Sequence, residues 1–145
     1  MKAVLQRVQQ SSVSVDGEVI SSIHQGLLIL LGIEQEDTME NVLPLCKKIA
    51  NLRIFEDDQQ KMNISILDVQ GEALVISQFT LMANTQKGNR PSFVKAAPPE
   101  IAQPLIAQFC SVLRNYGISV KEGVFGAHMM ISLVNDGPVT IWLEN

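Results

Sequence analysis

Cysteine and histidine are scarce in this 145-residue chain, two of each, and their spacing excludes a good deal. Cys46 and Cys110 are far apart and form no CxxC pair. They read as buried free thiols on two helices rather than as a disulfide or a metal clasp. His24 and His128 are isolated and lack metal-ligand spacing, so no metal site is expected. No apolar run reaches the roughly 18 residues of a membrane-crossing helix. The longest apolar block, Leu27 to Leu31 followed by Gly32 and Ile33, has strand length. The start, Met1-Lys2-Ala3-Val4-Leu5-Gln6-Arg7, turns polar almost at once; a secretory leader is not expected, and a cytoplasmic protein is. Basic charge is also in short supply. A net charge of −4 and a pI of about 5.1 count against a broad nucleic-acid footprint, while leaving room for contact with a nucleic-acid end through a local patch. Lys47, Lys48 and Arg53 on one helix, and Lys87, Arg90 and Lys95 in a loop, are the suggestive groups; each taken alone reads as solvated surface charge.

Familiar catalytic signatures are missing as well. There is no GxSxG, no Walker loop and no GxGxxG. Neither histidine sits at a strand-to-helix nucleophile elbow, and His128 reads as a core or rim residue. Asp57, Asp58 and Asp136 are carboxylates that no pattern brings together. What remains is a site of hydroxyl, amide and backbone groups. Such a site can cleave only a bond that is already labile, by positioning and by preorganised dipoles.

What is present is enough apolar material for a core, 46% hydrophobic against 18% charged, in a length that suits one domain, residues 1–145. Lys2 to Gln9 alternates as a strand. Ser11 to Val15 and Glu18 to Ile23 flank Asp16-Gly17, a strong hairpin signal. Gly26 to Ile33 reads as a central strand buried on both faces. A helix follows, with Asp37 as the expected N-cap, Glu40 completing a capping box, and Val42, Leu45, Cys46, Ile49 and Leu52 on its apolar face; Pro44 should loosen its early turns. Arg53 to Phe55 reads as a short strand. Ala73 to Leu81 begins as a buried strand, and Met82 to Pro98 is a long loop. A second helix opens at Pro98-Pro99-Glu100 and buries Ala102, Leu105, Ile106, Phe109, Leu113 and Tyr116, with Gly117 beyond its end. Val120 to Phe125, Met129 to Val134 and Val139 to Leu143 complete the strands. This order does not alternate βαβ. It predicts an α+β fold, a mostly antiparallel curved sheet or barrel with two main helices packed on one side.

Two stretches break their own pattern. Ser77, Gln78 and Thr80 enter an otherwise apolar run, where buried polar groups would cost about 1–3 kcal/mol each if unpaired. Asn135-Asp136-Gly137-Pro138-Val139-Thr140 separates two apolar runs and reads as a tight connection between two strands; on composition alone an ordinary hairpin turn is the favoured reading, with a cis Gly-Pro bond as the other possibility.

Together, Ser77-Gln78-Phe79-Thr80-Leu81 and Asn135-Asp136-Gly137-Pro138-Val139-Thr140 resemble the two signature motifs of the D-aminoacyl-tRNA deacylase family. The resemblance runs the whole chain, through Met1 to Val8, Gly88-Asn89-Arg90-Pro91-Ser92-Phe93 and Gly123 to Met129. It implies a homodimeric cytosolic hydrolase with active sites at the subunit interface, acting on the aminoacylated acceptor end of tRNA. By the same resemblance Ser77, Gln78, Phe79 and Thr80 form the catalytic pocket wall. Gly137-Pro138, joined by a cis bond, reaches into the partner's pocket as a chiral gate, with Met129 among the substrate-binding residues. No metal, no organic cofactor and no membrane partner is implied. Water attack helped by the substrate's ribose hydroxyl, with Thr80 positioning, is the preferred mechanism; Thr80 as covalent nucleophile lacks an obvious base. Leakage of glycyl-tRNA is expected, because it has no side chain to reject. The competing readings are a non-catalytic module that binds aminoacyl or nucleotide ends, a structural oligomerising protein, and a serine esterase using Ser77.

Overall fold

The computed structural model describes residues 1–145. Its elements in chain order are β1 (Lys2–Val15), β2 (Glu18–Ile23), β3 (Gly26–Gly32), α1 (Met39–Asn51), β4 (Phe55–Glu56), β5 (Met62–Ile64), β6 (Glu72–Ser77), a 3₁₀ helix (Phe79–Met82), α2 (Pro99–Asn115), β7 (Ser119–Glu122) and β8 (Met130–Glu144). β1 is the axis. It pairs antiparallel with β3 over Lys2–Val8, with β2 over Ser11–Val15, and with β8 from Lys2 to Ser14. The β1–β2 turn forms as the sequence predicts: Asp16 and Gly17 take φ of 51° and 85°, the two positive values a tight hairpin turn needs.

The sheet then extends through two parallel pairings, β3 with β6 and β6 with β7. It curls until β2 approaches β7, where the Ser21 hydroxyl donates to the Glu122 carbonyl at 2.8 Å. The result is a nearly closed, barrel-like mixed sheet, still mostly antiparallel, with two helices on its outside.

Alternation along the strands sorts the apolar residues into two cores. Leu27, Ile29 and Leu31 of β3, with Ala73 and Val75 of β6, face α1 and α2 and pack against Val42, Ile49, Phe109 and Leu113. Leu28, Leu74 and Ile76 point the other way and join Val8, Val13 and Ile23 inside the barrel. β3 is therefore buried on both faces, as its unbroken apolar run predicts. Each fully buried side chain of this kind contributes about 1.5–3 kcal/mol relative to exposure. Both thiols lie in the helix-covered core. Burial pushes the Cys46 thiol up to about 12 and raises that of Cys110 as well, so neither is a thiolate at neutral pH.

Several local expectations give way to tertiary contacts. Thr38, not Asp37, is the N-cap of α1, and its box is completed by Asn41, whose side-chain oxygen accepts from the Thr38 N–H at 2.9 Å. Asp37 is taken by a longer-range partner: it accepts from the Met1 amino group at 2.6 Å and from the Glu34 N–H at 2.6 Å. α1 runs through Pro44. α2 starts at Pro99 and ends as expected before Gly117, but Tyr116 is 38% exposed and Cys110 fills the inner position instead.

Candidate active site

The first polar break is the end of a strand. β6 stops at Ser77, and the chain tightens into the 3₁₀ helix, so Ser77 and Gln78 are only half-buried while Phe79 and Thr80 are exposed. The predicted burial of these polar groups is thus corrected: the run leaves the core before the cost falls due. Gln78 N–H still donates to the Leu31 carbonyl at 2.8 Å, which ties the turn to β3. Gly32 permits that approach. A Cβ there would lie 2.7 Å from Met82 Cε and 2.9 Å from the Gln78 carbonyl oxygen. The Gln78 amide donates to the Thr80 hydroxyl, which leaves the Thr80 proton free to donate elsewhere. The first N–H groups of the 3₁₀ helix have no acceptor within it, and Gln78 supplies no side-chain cap.

This turn opens onto a cavity of about 450 Å³. Its walls are mainly apolar, including Leu31, Ile76, Ile106 and Phe125; its polar end is Ser77, Gln78 and the backbone about Phe79. The loop Gly126-Ala127-His128-Met129 closes one side, and Ala96-Ala97 another. No carboxylate lines it, and His128 is its only titratable side chain. Phe79 meets Phe93 edge-on, with ring centroids 5.2 Å apart.

The second polar break is not a connection between strands. Met130 to Glu144 is one strand running antiparallel to β1 throughout, because the register passes from Gln10↔Val134 to Gln6↔Thr140 without reversing direction. Between Val8↔Asn135 and Gln6↔Thr140 the residues 136–139 have no room in the ladder and bulge out. The Gly137–Pro138 peptide bond is cis. Gly137 has φ +123°, and a Cβ there would lie 2.9 Å from Val139 Cγ2 and 3.3 Å from Arg7 Nη2.

Arg7 sits opposite the bulge and is 3% exposed. Its Nε donates to the Asp136 carbonyl at 3.0 Å and Nη1 to the Ile54 carbonyl at 2.7 Å. Its charge is balanced by Asp136 at 3.5 Å and Glu56 at 3.4 Å. One buried guanidinium therefore pins the bulge to the segment after α1. Ser77, Gln78, Phe79 and Met129 line the cavity together; Thr80, Gly137 and Pro138 do not line it.

The family model described as D-Tyr-tRNA(Tyr) deacylase matches residues 4–144. The chain belongs to that family. Members are deacylases, so this is a hydrolase acting on ester bonds. Among curated deacylase relatives, a protein of Thermomicrobium roseum named D-aminoacyl-tRNA deacylase is 56% identical over 145 residues, covering 100% of this chain and 94% of that one. A protein of the same name from Roseiflexus castenholzii is 57% identical, covering 100% and 92%. A solved structure titled c-Myc DNA Unwinding Element Binding Protein matches with TM-score 0.94 and 46% identity, covering 100% of this chain and 99% of that one. A probable eukaryotic D-amino acid tRNA deacylase shares the fold at TM-score 0.84 and 16% identity, covering 98% and 97%.

Sequence reasoning missed one residue that holds this candidate site. Arg7 was one polar residue in an alternating strand, although a buried Arg needs partners and so marks a contact. His128, which the sequence reads as a core or rim residue, takes the rim position, exposed at the cavity edge.

Proposed function

We propose that this chain hydrolyses the ester between a D-amino acid and the terminal ribose of tRNA, releasing free tRNA and the D-amino acid, and that it spares the L-aminoacyl form. In this reading residues 1–145 act as one deacylase domain in the cytoplasm. The observation that carries it is a division of parts: the cavity holds Ser77, Gln78 and Phe79, while the bulge at Gly137-Pro138, pinned by Arg7, does not line it. A bulge held this firmly is a backbone surface offered to something outside its own cavity.

An aminoacyl ester is activated, so a cavity without carboxylates suffices. Water attacks the ester carbonyl and a tetrahedral oxyanion forms. The Phe79 N–H faces that oxyanion, and Ser77 and Gln78 shape the pocket wall. The carbon–oxygen bond to ribose then breaks, and the proton from water passes by way of the neighbouring ribose hydroxyl to the leaving oxygen. Thr80, whose hydroxyl is oriented by Gln78, positions the attacking water.

The active unit in this reading is a homodimer with two interface sites. Exposed apolar side chains along β8 support it: Met130 is 65% exposed, Trp142 51% and Val134 43%. Each bulge enters the other subunit's cavity, where the Gly137 and Pro138 carbonyls hold the substrate's α-amino group and Met129 borders the reacting end. An L side chain would meet the bulge; a D side chain points to solvent. Glycyl-tRNA, with no side chain, is hydrolysed to some degree.

Deacylation of matched D-, L- and glycyl-tRNA tests the activity and its selectivity. Turnover of D- and glycyl-tRNA with the L form spared is expected; equal rates for D and L would sink the gate, and no turnover would sink the reaction. Mixing Thr80→Ala with Gly137→Ala protomers tests the shared site. Random pairing should restore one intact site in half of the dimers, about a quarter of wild-type activity. A mixture no better than its components would mean each subunit uses its own bulge.

A further inference from the structure

We infer that the projecting hairpin at residues 84–92 is an arm that grips backbone phosphates of the single-stranded acceptor end as it leads into the cavity; this rests on the deacylase reading above.

The first support is charge segregation. Residues 73–99 contain none of the chain's 15 Asp and Glu residues, and their only charged side chains are Lys87, Arg90 and Lys95. In a chain of net charge −4 this is an island of three cations. All three are exposed and none is in an ion pair, whereas Lys2, Arg7 and Arg114 are each paired with a carboxylate. Their charge is not used to hold the fold.

The second support is place. The hairpin is closed by a two-way backbone bridge, Asn84 N–H to the Ser92 carbonyl at 2.8 Å and Ser92 N–H to the Asn84 carbonyl at 3.0 Å. Lys87 and Arg90 lie beyond that bridge, about Gly88 at the exposed tip. The root is fastened beside the site. Phe93 packs edge-on against Phe79, a residue of the cavity mouth, and Ala96 and Ala97, directly after Lys95, line the cavity itself. The return limb is anchored by Gln35, whose Nε2 donates to the Val94 carbonyl at 2.7 Å and whose N–H donates to the Lys95 carbonyl at 3.1 Å. Polyanion binding through a few such cations is strong enough to orient a strand and carries no sequence preference. In this reading a substrate whose ester sits at Ser77 to Phe79 lays its preceding phosphates along this rim. An overall acidic protein that binds only an end has use for such a patch and none for a wider one.

The test compares two substrates that carry the same D-aminoacyl ester, one on tRNA and one on adenosine, which has no phosphate. The enzyme is wild type, the double variant Lys87→Gln/Arg90→Gln, and the control Lys47→Gln/Lys48→Gln on α1. Loss of two single-strand phosphate contacts should lower kcat/KM for the tRNA ester by about tenfold at moderate salt and flatten the log–log salt dependence by about 1.4. The adenosine ester should be cleaved at the wild-type rate, and the control should match wild type on both. Equal effects of the arm variant on the two esters, or no effect on either, would overturn the arm while leaving the deacylase reading standing. A wild-type enzyme inert toward both esters would overturn the deacylase reading and the arm with it.

Discussion

The two polar stretches look alike in the sequence and are built by opposite means. Ser77 to Thr80 ends a strand in the middle of the sheet, and its position is inherited from backbone pairing with β3 and from the close approach at Gly32. Asn135 to Thr140 interrupts an edge strand whose ladder resumes on both sides, and side chains tie it to β1, Arg7 through the Asp136 carbonyl and Thr140 through Gln6. The first is held through backbone and exposes hydroxyl and amide side chains; the second is held through side chains and exposes backbone. A site assembled from these two should therefore fail in two different ways, through chemistry at one stretch and through geometry at the other.

Arg7→Gln is the strongest way to break that contrast. It removes a buried charge with hydrogen bonds to Asp136 and Ile54, and should cost about 2–4 kcal/mol in a urea titration together with most of the activity. A stable, active Arg7→Gln would mean the bulge holds itself. Gly137→Ala comes next. With φ +123° and Val139 Cγ2 2.9 Å from the added carbon, it should cost about 1–3 kcal/mol and move the bulge enough to lower kcat/KM on the order of 10²-fold. Thr80→Ala lies at an exposed position, so stability should stay within about 0.5 kcal/mol while kcat falls and Thr80→Ser retains most of it. A large stability loss there would erase the distinction between the two stretches, and a trapped acyl group on Thr80 would replace water with Thr80 as nucleophile.

The smallest effect belongs to residues 57–68, none of which lines the cavity. Hydrogen bonds from Asn63 and the Lys61 backbone lower the Asp57 carboxyl below its ordinary 3.8, and bonds from Ser65 lower that of Asp68. A depressed folded-state value stabilises above about pH 4, and that contribution is lost as the pH falls through the lower folded value. Asp57→Asn should thus be slightly less stable than wild type at neutral pH and indistinguishable from it at strongly acid pH, with deacylation rates unchanged; a pH-independent difference would remove the linkage.

Much of the fold was legible. The Asp16-Gly17 hairpin, the doubly buried β3, both helices and the second helix's end all follow from short-range pattern, because periodicity and turn chemistry act over a few residues. The candidate site was legible as two motifs, and as polar residues where apolar ones were due. Its construction was not. The reading of Asn135 to Thr140 as a turn failed because a bulge and a turn use the same residues, and only pairing with β1 distinguishes them. Burial of Ser77 to Thr80 was misjudged because the strand's end is set where β3 ends beside it. Asp37 lost its cap role to an amino group 36 positions away.

The sequence by itself determined the periodic elements, the hairpin at Asp16-Gly17, the membership carried by its two motifs and the acid-free island from Ala73 to Pro99. Only the tertiary structure decided that β8 is one strand, that its bulge hangs on Arg7 across 129 residues of chain, and that the cavity gathers Ser77, Gln78, Phe79 and Met129 without Gly137 and Pro138. The reason is one of range. Local patterns record which conformations a segment prefers, whereas a buried charge, a strand register and a cavity are defined by partners that the chain meets only after it has folded.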